Sequence, residues 1–422
     1  MKEKLLLLVL LISVFLIPLN TYHVAPEKPR RIPRVVNAVK AEGSNGIHVL
    51  EIDDEEPLFK IKETISRSLI GGRDATPKQS GDWIIGTTQV ISNKDIVVNG
   101  SIYILSTGAL ILVNSTLRMN VSTDGEHGIV VNPGGNLTIL NSCVTSLDQT
   151  HKYFFKAYNG SKIRIEDSII LYAGYSSRNI DETGVYIETS ILQINNITVN
   201  KSYHGFILNK VSNVALKNIG IGDTEEFGMH INSCMNVTID NINVVSSWCG
   251  VYIYNSSIAT LNNTIVGNNR YCGISIDSSS NITIINFQAQ NNRRYGFCIS
   301  ASGNVTLSNG AISGCAYGVE LYGSKNNSLK NIVFSGCGLY VYKSYSNVVA
   351  NCQVNGKPLV YLENMQNIIV GNAGQVIAVG CTGIIIQNLV LTETTVGVEF
   401  WKTSDSRIEN CTISNNRAYG IY

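Results

Sequence analysis

The chain has 422 residues, of which 15% are charged and 44% hydrophobic, and its formal net charge is +1. A balance this close to neutral gives no electrostatic support for binding nucleic acid, and none for binding a membrane surface beyond the N-terminus. The repeats described below predict one elongated solenoid that follows a leader and a linker, instead of several ordinary domains.

The N-terminus has the pattern of an export signal. The chain opens with MKEK, and an apolar run extends from Leu5 to Leu19. This run has the length of the apolar part of a signal peptide and is short for a helix that spans a membrane. We therefore expect residues 1–25 to act as a signal peptide or as an uncleaved membrane anchor. Either reading predicts a protein that is secreted or held at the cell surface.

Two further segments precede the coils. Residues 26–56 combine prolines with the basic run Lys28–Arg34 and the acidic run Asp53–Glu56, which indicates a flexible linker. Residues 57–82 are predicted to form an N-terminal cap, because apolar side chains between Leu58 and Ile70 could place a short amphipathic helix over the open first coil. Coils are expected over residues 83–422.

From Gly184 onward the sequence repeats a unit of about 22 to 23 residues. Each unit opens on a glycine followed by an alternating apolar pair, as in GMHI, GISI and GVEF. Asparagines follow in two series, eight and thirteen residues after the glycine in most units. The repeat glycines are Gly184, Gly205, Gly228, Gly250, Gly273, Gly296, Gly318, Gly338, Gly397 and Gly420. The asparagines are Asn213, Asn236, Asn281, Asn304 and Asn326 in the first series and Asn218, Asn241, Asn263, Asn286, Asn309, Asn331, Asn351 and Asn410 in the second.

Glycine and asparagine mark the corners of a coil. Both tolerate the left-handed backbone region, and an asparagine can also hydrogen-bond the asparagine one coil away. Short runs of alternating apolar residues lie between the corners, so each unit predicts three short strands joined by tight turns. Stacking places identical residues at the spacing of a parallel sheet and buries a continuous inner column. The predicted fold is an all-β solenoid, a single-stranded parallel β-helix.

The last letters, Gly420 to Tyr422, open another coil. Either the sequence continues beyond this point or another protomer covers the edge, because an unpaired strand edge attracts a further strand. End-to-end self-association through this coil is therefore one expectation.

Ten cysteines in an exported chain permit disulfides. Cys249 and Cys272 each stand immediately before a repeat glycine, and Cys315 and Cys337 each stand six residues after an asparagine of the second series. Both pairs are expected to stack one coil apart, within the separation that a disulfide tolerates. Alternatively, the stacked thiols are plain small apolar residues.

The units GMHINSCMNVTIDNINV and GISIDSSSNITIINF resemble the repeats of the NosD-type, pectate-lyase-like right-handed parallel β-helix family. The stretch Asn355 to Phe400 is similar to a segment of archaeal surface proteins in that group. The resemblance covers roughly residues 83–422. It implies a right-handed coil, an exported protein and membership of a superfamily of carbohydrate-binding proteins and sugar-active enzymes, but not one activity.

The coils lack the motifs of the active members of that superfamily: the arginine-proline signature of pectate lyases, the paired aspartates of polygalacturonases and the aspartate-proline-histidine motif of alginate epimerases. Met229, His230, Cys234 and Met235 form the one cluster of soft copper ligands. However, Met229 is predicted to point inward and His230 outward, so we predict no metal site.

Residues two and four positions after each repeat glycine are predicted to point outward and to form two surface columns. Aromatic rings stack on the C–H face of a pyranose, so tyrosines in these columns predict a glycan-binding face. Its candidate residues are Tyr252, Tyr254, Tyr322, Tyr340, Tyr342 and, from the loop before a glycine, Trp248. Arg270, Arg293 and Arg294 come from the same kind of loop and could rim a groove. Alternatively, the tyrosines only stack on one another across coils, without a ligand.

Asp277 and Glu320 are the best carboxylate pair for hydrolysis. Strand geometry puts their Cα atoms about 12 Å apart, which is wide for the two carboxylates of an inverting glycosidase. A lyase would need an acidic calcium cluster and a base, and the nearest acidic group, Asp223 with Glu225 and Glu226, is more typical of a solvated loop. No cofactor is expected, except calcium if the protein is a lyase.

Glycosylation sequons are numerous, but many arise because an asparagine of the repeat precedes an outward Thr or Ser. Asn236, Asn281 and Asn304 are expected to stay bare if they hydrogen-bond within the solenoid. Asn99, Asn120, Asn159 and Asn255 lie off the ladder positions and are the better predicted acceptors.

Three functions remain open from the sequence. The preferred one is a non-catalytic cell-surface protein that binds a polysaccharide or a neighbouring surface glycoprotein through its tyrosine face. The second is a polysaccharide lyase or hydrolase that acts on the same face. The third is a purely structural component of an envelope or filament.

Overall fold

The computed structural model describes residues 76–422, which form an almost entirely β solenoid with one short 3-10 helix at Ile180–Glu182. The predicted leader, the linker and the amphipathic helix within residues 57–70 lie outside the described residues. No helix among residues 76–422 has the length and apolar character needed to cross a bilayer.

The strands of the N-terminal coils are β1 (Thr76–Ser80), β2 (Trp83–Ile85), β3 (Thr88–Ser92), β4 (Asp95–Asn99), β5 (Ile102–Ile104), β6 (Ala109–Val113), β7 (Thr116–Met119), β8 (Gly128–Val131), β9 (Asn136–Leu140), β10 (Cys143–Ser146), β11 (Phe154–Ala157), β12 (Lys162–Leu171), β13 (Val185–Ile187) and β14 (Leu192–Asn200). The regular coils follow as β15 (Phe206–Asn209), β16 (Ser212–Gly222), β17 (Phe227–Asn232), β18 (Met235–Val245), β19 (Cys249–Tyr254), β20 (Ser257–Gly267), β21 (Cys272–Asp277), β22 (Ser280–Gln290), β23 (Tyr295–Ser300), β24 (Thr306–Ser313), β25 (Tyr317–Tyr322), β26 (Ser328–Ser335) and β27 (Leu339–Tyr342). The C-terminal strands are β28 (Val348–Ala350), β29 (Gln353–Val354), β30 (Lys357–Glu363), β31 (Ile369–Val370), β32 (Gln375–Val379), β33 (Ile385–Gln387), β34 (Val390–Thr392), β35 (Val396–Trp401), β36 (Arg407–Glu409), β37 (Thr412–Ser414) and β38 (Tyr419–Ile421).

The predicted parallel β-helix is confirmed. Twelve strands from β2 to β27 stack in parallel as one sheet, which we call the glycine-led sheet because its regular strands contain the repeat glycines. The long strands β14, β16, β18, β20 and β22 stack in a second parallel column. The first described strand, β1, falls within the segment predicted as a cap, and it pairs with β4 as part of the solenoid.

The second asparagine series bends each long strand instead of ending it. Asn218, Asn241, Asn263, Asn286 and Asn309 have φ values between 53° and 61° inside β16 to β24. The second and third predicted strands of each coil therefore run on as one strand with a left-handed corner. Amides stack along this corner, as where Asn241 Nδ2 donates to Asn218 Oδ1 at 2.7 Å.

The inner column of each sheet is apolar and closely packed. Ile231, Ile253, Ile276 and Ile299 stack in register and are fully buried. The repeat glycines allow the coils to approach each other, since a Cβ on Gly250 would lie 2.5 Å from a backbone oxygen of the next coil. Burial of such a column is the main source of stability in a solenoid.

A buried serine ladder closes one corner, and the sequence reasoning did not anticipate it. The backbone N–H of Ser256 donates to the hydroxyl of Ser279 at 3.0 Å, and the N–H of Ser279 donates to the hydroxyl of Ser302 at 3.0 Å. Ser324 and Ser344 continue the pattern. Each hydroxyl thus satisfies a backbone donor that would otherwise be buried without a partner.

One coil departs from the first asparagine series. Ile258 stands eight residues after Gly250, at the position that Asn236 and Asn281 occupy in the neighbouring coils, and it has a φ of 55°. A β-branched residue is strained in the left-handed region, and Ile258 is half exposed, so it gains little from burial.

We expect Ile258→Asn to raise the free energy of unfolding by about 1–2 kcal/mol, because asparagine tolerates this backbone and would extend the amide ladder from Asn236. Chemical denaturation measures the change. Ile191→Asn is the matched control, since Ile191 is similarly exposed but has no positive φ, and it should change stability by less than about 0.5 kcal/mol. A destabilising Ile258→Asn would contradict this account of the corner.

The regular stacking stops after β27. A tight antiparallel turn joins β29 to β30, and β30, β32, β35 and β38 then form a separate parallel sheet. One face of this sheet contributes Val376, Ala378 and Val398 to a core of its own. The other face adds Leu359 and Ile377 to the main core. The C-terminal coils therefore cover the end of the main solenoid.

Polar side chains replace the missing strand where β27 meets the C-terminal sheet, a junction that we call the joint. Thr395 Oγ1 accepts the N–H of Gly338 at 2.8 Å, Gln375 Oε1 accepts that of Leu339 at 2.9 Å, and Glu399 Oε2 accepts that of Val341 at 3.1 Å. All three polar side chains belong to fully buried residues. The free backbone edge of β27 is thus satisfied without continuing the β ladder.

Candidate ligand-binding face

The outer face of the glycine-led sheet carries the two predicted columns between β19 and β27. The register between neighbouring parallel strands sets the order of residues in each column. The first column contains Tyr252, Ser275, Cys298, Glu320 and Tyr340, and the second contains Tyr254, Asp277, Ser300, Tyr322 and Tyr342. Most of these residues are half-buried, but Tyr340 is buried and Tyr322 is 48% exposed.

A continuous row of rings runs beside the first column and meets it at Tyr340, and we call this row the ring ladder. Its members Phe227, Trp248, Tyr271, Tyr295, Tyr317 and Tyr340 follow one another at centroid distances of 6.1, 4.5, 5.5, 5.1 and 5.7 Å. These residues come from the turn just before each repeat glycine or from the strand it opens, so one ring is supplied by each successive coil.

The ring faces point mainly at neighbouring rings. Trp248 and Tyr271 are parallel within 2°, and Phe227 makes a T-shaped contact with Trp248. Tyr322 and Tyr342 stack on each other at 5.1 Å. Stacking across coils, which was the alternative to a ligand, therefore describes how these rings pack. Ring edges and phenolic hydroxyls remain as the groups available to a ligand.

The two predicted cysteine pairs differ. Cys249 and Cys272 form a disulfide with a Cα separation of 4.7 Å, beneath Trp248 and Tyr271. Cys315 and Cys337 are free and buried, and their thiols donate instead to the carbonyls of Ser313 and Ile312. One predicted pair is thus a disulfide, and the other consists of free thiols packed as small apolar residues.

An open cleft of ≈ 390 Å³ lies at the edge of the ring ladder, and we call it the arginine cleft. Trp248, Tyr271, Arg270, Arg293 and Arg294 line it. The backbone of each arginine turn is fixed by the preceding coil, as where the N–H of Arg270 donates to Ser247 O at 2.7 Å. The turns before three successive repeat glycines therefore bring guanidinium groups and rings together.

Glu320 and Asp277 are not brought into contact. Strand β23 lies between their strands, and Asp277 accepts the hydroxyl of Ser278 at 2.9 Å. Glu320 is half-buried, and the thiol of Cys298 lies 3.5 Å from its Oε2. Burial raises the pKa of Glu320, an effect that Cys298, Arg294 and Tyr295 only partly offset. The pair does not form two opposed carboxylates around a common space.

The predicted glycosylation residues differ in access. Asn120, Asn159 and Asn255 are exposed, whereas Asn99 is half-buried. Asn120 Nδ2 donates to Asn99 Oδ1 at 2.9 Å, so these two form a short amide pair of their own. Asn255 has a φ of 47° and donates to the hydroxyl of Ser233 at 3.1 Å.

A charged network on the N-terminal coils escaped the sequence reasoning. Lys156 Nζ lies 3.2 Å from Asp181 and 3.0 Å from Glu182. Tyr175 and Ser177 donate their hydroxyls to Glu182, whose pKa is held at about 2 by these partners and Lys156 against the opposing effect of burial. Each group is satisfied by another, so the network anchors the loop around the 3-10 helix. The alternation of apolar residues predicts that Lys156 points outward, but nothing in the local sequence predicts that it would pair with carboxylates about 25 residues later.

Among the residues that the structure describes, no three His, Cys, Asp or Glu side chains are placed to hold a metal ion. Met229 lies in the core, and His230 packs on the opposite face of the strand between Phe227 and Tyr252.

Residues 227–373 match the family model described as a right-handed β-helix region. No curated protein matches the chain. Similar solved structures include the A-module of a mannuronan C-5 epimerase from Azotobacter vinelandii, which is 12% identical, with 75% of this chain and 91% of that chain covered and a TM-score of 0.44.

A periplasmic alginate epimerase is 14% identical, with 76% and 78% covered and a TM-score of 0.46. A full-length tailspike protein of an Escherichia coli bacteriophage is 12% identical, with 74% and 39% covered and a TM-score of 0.29. Likeness at these identities and scores transfers no activity, and the NosD-type and archaeal resemblances stay expectations. By its fold, supported by the family match over residues 227–373, the chain is a right-handed parallel β-helix.

Proposed function

We propose that the protein is an exported, non-catalytic β-helix that binds glycans through the outer face of its glycine-led sheet. The observation that supports this most is that the arginine cleft lies beside the two columns on the same face, because Trp248 and Tyr271 of the ring ladder also line the cleft. A cleft of this size, lined by rings and a few convergent polar groups, has the composition of a saccharide site. Export rests on the apolar run after MKEK, which is an expectation from the sequence.

The separation of Asp277 and Glu320 by strand β23 supports binding without turnover. Glu320 has the raised pKa of a candidate general acid, but Asp277 does not face it across a space that a glycosidic bond and a water could occupy. The ring ladder favours a second candidate, a purely structural role, because its rings already pack against one another.

Tyr322→Ala is expected to weaken retention on a glycan about 3- to 10-fold, because it removes the most exposed ring of the two columns. Affinity electrophoresis in gels containing neutral or acidic polysaccharides measures this loss. Tyr345→Ala is the matched control, since Tyr345 has the same 48% exposure but lies outside both columns. Equal losses in the two variants, or no retention of the wild-type protein on any polysaccharide, would favour the structural role.

A further inference from the structure

We propose that the arginine cleft recognises an acidic group, a carboxylate or sulfate, carried on a saccharide ring. This inference rests on the proposed function and narrows it to a ligand class. Its basis is the state of the three guanidinium groups: within residues 76–422 none of them forms an ion pair with a carboxylate, the partner that arginines usually find in folded proteins.

The three arginines are positioned in different ways. Arg270 donates to the carbonyls of Thr224 at 3.0 Å and Glu225 at 2.6 Å, so backbone oxygens hold its guanidinium. The guanidinium of Arg294 lies over the rings of Tyr271 and Tyr295, at 5.6 and 5.1 Å from their centroids. Within residues 76–422, no hydrogen bond or ion pair engages the exposed side chain of Arg293.

Nearby carboxylates have other partners. Glu225 pairs with Lys152, and Glu226 lies 3.8 Å from His204 Nε2. Glu320 is half-buried, and the thiol of Cys298 lies 3.5 Å from its Oε2. Elsewhere on the solenoid, Arg118 is paired with Asp95 at 2.8 Å. The cleft therefore concentrates positive charge on a chain whose net charge is only +1.

The surroundings favour a sugar acid over other anions. Guanidinium forks bind carboxylates and sulfates through paired hydrogen bonds, and the edges of Trp248 and Tyr271 offer apolar and polar contacts beside them. A nucleobase would need a free ring face, whereas Trp248 and Tyr271 stack on each other, Phe227 makes a T-shaped contact with Trp248, and Arg294 lies over Tyr271.

The test compares polymers that share one backbone. Dextran, carboxymethyl-dextran and dextran sulfate are presented to the full chain, and binding is measured by affinity electrophoresis at two salt concentrations. We expect at least about 10-fold tighter binding to the acidic polymers, weakening with salt. Arg293→Gln should lower binding to the acidic polymers about 5-fold or more and leave dextran unchanged. Lys330→Gln, which removes an equal charge from an exposed site on another sheet, should change neither.

Each outcome separates the inference from the proposed function. Equal retention on dextran and its acidic forms would overturn the acidic-group inference and leave glycan binding intact. Retention on none of the polymers would count against the proposed function. In that case, titration with glucuronate and with glucose, monitored by tryptophan fluorescence, decides the inference. A change with glucuronate alone that Arg293→Gln abolishes supports the site, and no change overturns it. Equal competition by inorganic sulfate or by a single-stranded oligonucleotide would also overturn it, since neither carries a sugar acid.

Discussion

Glu399→Gln is expected to stabilise the protein at neutral and mildly alkaline pH. Glu399 is fully buried, and its Oε1 has no hydrogen-bond partner in the described part of the chain. Burial raises the pKa of this carboxyl from 4.5 to about 8, against the opposing effect of the Val341 N–H. Glutamine keeps an acceptor for Val341 and never carries a charge. The gain in free energy of unfolding should grow with pH, to an upper limit of about 5 kcal/mol above pH 8.

The sign follows from proton binding. Between pH 4.5 and about 8, folded Glu399 holds a proton that the unfolded chain has released, so the contribution of this carboxyl to wild-type stability falls as pH rises through this window. Tyr340 and Tyr361, the titratable neighbours, have raised pKa values and stay neutral there. Chemical denaturation across the window measures the slope, and hydrogen exchange at Val341 reports whether the joint opens first.

Glu393→Gln is the matched control for this prediction, because Glu393 belongs to the same C-terminal segment but is exposed. It should leave the pH dependence of stability unchanged. A wild-type protein whose stability does not fall between about pH 7 and pH 8, where His204 and His230 are largely neutral in both states, or a Glu399→Gln variant with the same slope as the wild type, would show that the carboxyl is not buried as described.

His230→Phe is expected to make the protein more resistant to acid. The imidazole is buried, neither ring nitrogen has a hydrogen-bond partner among the described residues, and Phe227 and Tyr252 pack against it at 5.3 and 5.1 Å. Burial lowers the pKa of His230 from 6.5 to about 4. Phenylalanine fills the same space without a proton to bind. The variant should retain about 3 kcal/mol that the wild-type protein loses on acidification.

Here the sign is opposite to that of Glu399. Between pH 6.5 and about 4 the unfolded chain protonates His230 and the folded chain does not, so the contribution of this imidazole to wild-type stability falls as pH falls through this window. His204, whose pKa burial lowers to about 3, contributes in the same direction and remains in the variant. His127→Phe is the control, because His127 is only partly buried. Denaturation curves at about pH 7 and about pH 4 that shift equally in both variants would contradict the account.

The corners of the coils were predictable because their cause is local. A left-handed corner favours glycine or asparagine whatever its surroundings, so Asn218 and Asn241 reveal the coil in the sequence. The apolar alternation after Gly228 and Gly250 likewise identifies the inner column. Ile258 shows the limit of this logic, since the coil keeps its corner even where the residue disfavours it.

The joint was not predictable because its cause is distant. Glu399 stands two residues after Gly397 and was expected to point outward in the first column. Instead it meets Val341, 58 residues earlier in the chain. Nothing in the local alternation distinguishes Glu399 from Glu320, which stands at the same place in its own unit and remains half-buried.

The candidate face was predictable in its membership but not in its packing. Alternation placed Tyr252 and Tyr322 in their columns, and the loop positions of Arg293 and Arg294 placed these arginines at a rim. Whether a ring shows its face or its edge depends on side-chain torsions and on the next coil, as with Trp248 on Tyr271. Because the rings pack on one another, we expect a ligand to contact the guanidinium groups and the ring edges instead of stacking on a ring face.

Incubation of the full-length protein with neutral and acidic polysaccharides, with and without calcium, tests the central claim most directly. Bound polymer and new reducing or unsaturated ends are quantified in the same samples over time. The account predicts retention of an acidic polymer with no new ends under either condition. New ends that accumulate with the wild-type protein and disappear with Glu320→Gln would contradict it, because they would make the same face an active site.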